Sequence, residues 1–105
     1  MDDMTIPQPL NRMFHALGSR PRLDLLNHIS ASPRTVASTI AKQLHMELQT
    51  FSYHLSILED AGLVRRIKVG RYTVPSLRNS EVTKLSNFLL DLLSNNEYAS
   101  EKDIK

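Results

Sequence analysis

Two groups of side chains in this sequence are suited to holding a polyanion. Arg65, Arg66, Lys68 and Arg71 fall within seven positions, with no acidic residue among them. Cations that dense can neutralise phosphates and release their condensed counterions. Arg71 stands beside Gly70, and a guanidinium at a turn tip can enter a narrow minor groove. A charged hairpin guarded against aggregation would look similar, but four positive charges with no negative one favour the polyanion. Tyr72 follows directly and joins this set. The second group is neutral. At about 100° per residue, Gln49, Ser52, Tyr53 and Ser56 share one helix face, with Thr50 beside them and Phe51, Leu55 and Leu58 opposite. Each of these polar residues can hydrogen-bond. Gln matches adenine N6 and N7, and Ser serves several bases or a phosphate. Tyr53 could bond to a phosphate or lie against a thymine methyl. An ordinary solvated helix face would carry similar residues.

Other chemistries lack their residues. Cys is absent, so no disulfide, thiolate ligand, nucleophile or oxidant sensor can exist. There is no Gly-rich phosphate loop, no recognisable Ser nucleophile setting and no paired-carboxylate motif. An enzyme is not expected, nor is a cofactor. His15, His28, His45 and His54 show no ligand spacing on one helix, so no metal site is expected. A site shared by His15 and His28 would need two helices to bring them together. His54, on the helix with the polar face, reads as packing or as a phosphate contact, and its protonation could tune affinity near neutral pH.

The elements that must position these groups follow from the apolar spacing. The 105 residues suffice for one domain. Residues 1–9, with Pro7 and Pro9, read as an extended arm, residues 10–95 as the domain and residues 96–105 as a frayed tail. Leu10, Met13, Phe14 and Leu17 predict a first helix that Gly18 ends. Ser19 caps a second, with Pro21 in its first turn and Leu23, Leu25, Leu26 and Ile29 inward. A third helix is expected over Val36–Leu44 and a fourth over Glu47–Ala61, stopped by Gly62. The period then changes to that of strands, at Leu63–Lys68 and Arg71–Val74. Val69-Gly70 makes the turn and Pro75 closes the second strand. A last helix, capped by Asn79 or Ser80 with Glu81 in its first turn, carries Val82, Leu85, Phe88, Leu89, Leu92 and Leu93.

The order α-α-α-α-β-β-α is mainly α with a β-hairpin, the winged helix-turn-helix arrangement. Helices three and four make the helix-turn-helix, whose second member enters the major groove. The hairpin is the wing. Six large apolar residues in the last helix exceed what one small core needs. A homodimer is therefore expected, with Leu10, Met13, Phe14, Leu85, Phe88, Leu89 and Leu92 at its interface.

Formal net charge is only +2, yet the stretch from Arg12 to Arg78 carries +6. That asymmetry fits double-stranded DNA as partner. No apolar run is long enough for a membrane span, and the start lacks the basic and apolar segments of a signal peptide. No membrane partner is expected, and the expected setting is the cytosol.

Three segments together resemble the ArsR/SmtB family of bacterial and archaeal winged-helix repressors. Met13 to Leu23 (MFHALGSRPRL) is similar to that family's opening segment. Thr50 to Val64 (TFSYHLSILEDAGLV) is similar to its recognition helix and following strand, and Gly70-Arg71-Tyr72 to its wing tip. The resemblance implies a homodimer built on the first and last helices and repression by occupying promoter DNA. It places Gln49, Ser52 and Tyr53 at base-reading positions. Two departures stand out: Glu47 replaces the usual capping Ser or Thr, and Leu48 replaces a frequent Gln. Leu48 either packs inward or touches a thymine methyl. The family's metal sites lack their ligands here. Val36 and Ser38 align with one cysteine pair. Glu81 and Asp91 are present on the last helix, but no His follows His54.

The leading expectation is a sequence-specific DNA-binding repressor on an inverted-repeat operator, with an inducer that is a small molecule, a protein or absent. The alternative is a winged-helix protein–protein interaction module with weak or no DNA binding, recruiting its partner through Leu48, Tyr53 or the last helix.

Overall fold

A computed structural model describes residues 8–97. In chain order the elements are α1 (Gln8–Leu17), α2 (Arg20–Ala31), α3 (Ala37–Gln43), α4 (Leu48–Asp60), β1 (Val64–Val69), β2 (Tyr72–Leu77) and α5 (Asn79–Glu97). This is the expected mainly helical, winged architecture. Its boundaries differ in detail. α1 begins two residues before Leu10 and takes Pro9 into its first turn, where a missing N–H costs little. α5 runs through Glu97. Residues 1–7 of the expected arm and 98–105 of the expected tail lie outside the described residues. Ser19 holds the N-cap position of α2 with extended backbone but makes no side-chain cap bond. Its carbonyl instead accepts from Leu23 N–H at 3.0 Å.

The core forms where four helices and the hairpin base meet. Met13 and Ala16 of α1, Leu25 and Ile29 of α2, Ile40 and Ala41 of α3 and Phe51, Leu55 and Leu58 of α4 are buried together with Leu63 and Val64. On α1, α2 and α4 these residues recur at helical spacing, which makes the pattern legible in the sequence. The end of α4 closes this core. Gly62 adopts φ +82°, Leu63 N–H reaches Leu58 O at 3.0 Å and Gly62 N–H reaches Glu59 O at 2.9 Å. That is a Schellman ending, and its two apolar ends, Leu58 and Leu63, are both buried.

β1 and β2 pair antiparallel from Val64↔Leu77 to Val69↔Tyr72. The loop is therefore Gly70-Arg71, one residue later than the expected Val69-Gly70. Gly70, at φ +61°, supplies the first central position of a two-residue hairpin turn. Pro75 does not end the second strand. It lies inside β2, buried, opposite Arg66. A two-stranded ribbon consists of edges, so a proline whose nitrogen faces outward removes no ladder bond. At the hairpin base Arg78 N–H bonds Leu63 O at 2.9 Å, tying the start of α5 to the core.

Candidate nucleic-acid interface

The turn between α3 and α4 is short and tightly bonded. His45 adopts φ +56°, and Met46 N–H bonds Ala41 O at 2.9 Å. This ends α3 as a glycine C-cap would, with His in the left-handed position. Glu47 then occupies the N-cap of α4 and makes no side-chain cap bond, so the first amides of the helix lack the partner that Ser or Thr would give.

Phe51, Leu55 and Leu58 fix the inward face of α4, and the outward face follows. Gln49, Thr50 and Tyr53 are exposed there, Tyr53 at 63%. Ser52 and Ser56 are half-buried, because the wing leans over them. Tyr53 is steadied by an edge contact with the His54 ring, centroids 5.2 Å apart.

Arg66 stands apart from the rest of the basic cluster. Its Nε donates to Glu59 Oε1 at 3.1 Å, and its Nη2 donates to Ser56 Oγ at 2.7 Å and to Ser52 O at 3.3 Å. In the protomer it braces β1 against α4. Strand alternation explains this. Arg66 shares a face with buried Val64, whereas Arg65 points to the opposite face and is exposed. Lys68, Arg71 and Tyr72 are exposed toward the free end of the hairpin. Lys68 Nζ donates to Thr73 Oγ1 at 3.1 Å. The Arg71 guanidinium lies 5.4 Å from the centre of the Tyr72 ring, which restrains it without neutralising it. Between α4 and the wing runs an open cleft of about 260 Å³, lined by Leu48, Ser52, Arg66, Arg71 and Tyr72 among others. The recognition face and the cationic tip are thus two lips of one surface, joined by Arg66.

His54 is packed against Arg22 in the protomer. Arg22 Nη1 donates to its Nδ1 at 3.2 Å, and Arg22 Nε donates to Ala16 O at 2.6 Å. Loss of solvent, with the Arg22 charge adding to it, holds the His54 pKa below the ordinary value. His28 Nε2 pairs with Gln43 Oε1. Glu81 pairs with Lys84 at 3.2 Å. Among the described residues no three His, Asp or Glu side chains converge as metal ligands.

The expected interface residues divide. Leu10 and Met13 are buried within this protomer's own core. Leu85 and Phe88 are half-buried, and Phe14 meets Phe88 edge to face at 5.8 Å. Leu89 and Leu92 are exposed, and so are Leu90 and Leu93, which sequence reasoning did not place at the interface. Sequence reasoning also missed the Arg22–His54 contact. Spacing alone does not decide whether Leu48 faces core or solvent; in the structure it is 59% exposed.

Comparison with known proteins agrees with this architecture. Residues 17–67 match a family described as a helix-turn-helix domain. The chain is 30% identical to the uncharacterized HTH-type transcriptional regulator YbzH of Bacillus subtilis (strain 168), over 73% of this chain and 91% of that protein. A crystal structure of an ArsR family transcriptional regulator superposes with a TM-score of 0.78 at 29% identity, covering 91% of this chain and 98% of the other. The solution structure of a homodimeric winged helix-turn-helix DNA-binding domain from Mycobacterium bovis, a possible ArsR-family regulator, gives 0.66 at 26%, over 88% and 82%.

Proposed function

As this chain belongs to the ArsR family of winged helix-turn-helix transcriptional regulators, we propose that it is a repressor that binds an inverted-repeat operator as a homodimer. The observation that carries the reading is the composite surface of α4 and the wing. Gln49, Thr50 and Tyr53 are exposed on α4, Lys68 and Arg71 are exposed toward the tip, and Arg66 locks the two elements together. A rigid pair of this kind presents hydrogen-bonding side chains to base edges while its cations hold phosphates.

Dimerisation is supported by the last helix, whose leucines beyond Phe88 are about half exposed, and by the homodimeric relative from Mycobacterium bovis. A two-fold pair sets the two α4 helices about 34–36 Å apart, one DNA turn, and hence an operator with inverted half-sites. Occupying a promoter in this way excludes polymerase. Among the described residues no helix is long and apolar enough to cross a membrane; action in the cytosol, where DNA is, belongs to the same proposal.

A mobility shift on random duplex across a range of salt concentrations tests the reading. Phosphate binding must weaken steeply as salt rises. The absence of any shift at low salt would instead favour a protein-recruiting module.

A further inference from the structure

Leu48 is the first residue of α4, and more than half of it is open to solvent. On the helix it stands one turn before Phe51 and Ser52, and two before Leu55. Phe51 and Leu55 continue that row into the core, but Leu48 lies past the end of the core and is 59% exposed. Glu47, Gln49 and Thr50 beside it in sequence are polar and exposed, and Ser52 stands one turn on, so Leu48 is an apolar side chain at the edge of the hydrogen-bonding face. It lines the cleft that faces Arg71 and Tyr72 of the wing. Burial in the fold therefore does not explain a leucine here, and its position between base-reading and phosphate-holding residues points to a contact inside the bound groove.

One base offers an apolar group there. The C5-methyl of thymine projects into the major groove, where none of the other three bases carries a methyl group. The N-terminal residues of a recognition helix are those that reach base edges. We propose that Leu48 is a specificity-determining residue that packs against the 5-methyl group of one thymine in each half-site. The proposal rests on the reading of α4 as the base-contacting helix. Arg66 and Arg71 line the cleft with no acidic residue among its lining, a charge that suits the phosphates beside a groove.

The test starts from duplexes selected out of a random pool by the full-length chain. Each thymine of the selected site is replaced in turn by deoxyuridine, which removes one methyl group and leaves the hydrogen-bonding edges intact. The expected result is one thymine per half-site whose methyl is worth about fourfold in affinity, the equivalent of one buried methyl. Leu48→Ala should bind the thymine and uracil duplexes equally. Leu48→Gln should move the preference at that position from thymine toward adenine, which glutamine can pair bidentately. Because Leu48 is exposed, both variants should keep the wild-type circular dichroism and melting temperature. Indifference of the wild type to uracil at every position overturns the assignment and leaves DNA recognition standing. So does a thymine effect that persists unchanged in Leu48→Ala. A wild-type chain that holds no duplex at low salt overturns the DNA reading itself, and this assignment with it.

Discussion

The α4–wing surface and the second half of α5 are both rich in exposed side chains, but only one of them is complete in a single protomer. Around α4, the side chain that most needs a partner has one: Arg66 is held by Glu59, Ser56 and the Ser52 carbonyl. Apart from Leu48, what remains outside is largely hydrogen-bonding or charged, and water satisfies it until DNA arrives. Along α5, Val82, Leu85 and Phe88 pack on the core, and then Leu89, Leu90, Leu92 and Leu93 stand 49–57% exposed. Water does not satisfy leucines, and a run this dense marks an interaction surface. Exposed charge can belong to a finished surface, whereas exposed leucine at helical spacing belongs to an unfinished one.

The largest effect should come from making the α5 stripe polar. Leu89→Glu should turn the dimer into a monomer in sedimentation, and lower operator affinity on the order of 10²-fold or more as the two heads cease to act together. A variant that stays dimeric would move the interface elsewhere. Next, Arg66→Ala should lower unfolding free energy by about 1–3 kcal/mol, because it removes a part-buried, charge-assisted set of bonds. It should weaken DNA binding while leaving the salt slope unchanged, the pattern expected of a side chain that holds the wing rather than a phosphate. Arg71→Ala gives the reverse pattern. Stability should hold, affinity for every duplex should fall, and the salt slope should drop by about 1 for each phosphate that the side chain no longer neutralises. A drop in slope for Arg66→Ala would erase this distinction between brace and phosphate-holding cation.

Glu47→Ser should stabilise the fold by about 1 kcal/mol by supplying the missing cap. It should also tighten DNA binding by removing a carboxylate near the phosphates. The smallest effect concerns His54. Its folded-state pKa lies below the ordinary 6.5, so at higher pH it is neutral in both states and contributes nothing to pH dependence. As pH falls through 6.5 the unfolded chain takes up a proton that the folded chain refuses, and stability declines until the lowered folded value is passed. Chemical denaturation between pH 7.5 and roughly 5 should show this slope in the wild type and a flatter one in His54→Gln.

Much of this is written in the spacing of the residues. The apolar periods give the element order and the inward stripes, and Gly62 and Gly70 mark the two glycine positions where positive φ is needed. Partners are harder to read. Four basic residues in seven look equivalent as a string, and only strand alternation separates Arg66, in phase with buried Val64, from Arg65. Leu10 and Met13 recur with Phe14 at one helical period, yet packing buries the first two and leaves Phe14 at the surface. Pro75 reads as a strand end because the local rule cannot know that β2 has a free edge. In each case the missing information is which neighbour the fold brings near, a property of tertiary structure and not of local pattern.

Hydroxyl-radical footprinting on a selected operator tests the central claim most directly. A two-fold pair of α4–wing surfaces predicts two protected patches related by symmetry, with centres about one helical turn apart. A single patch, or uniform cleavage along the duplex, would contradict it.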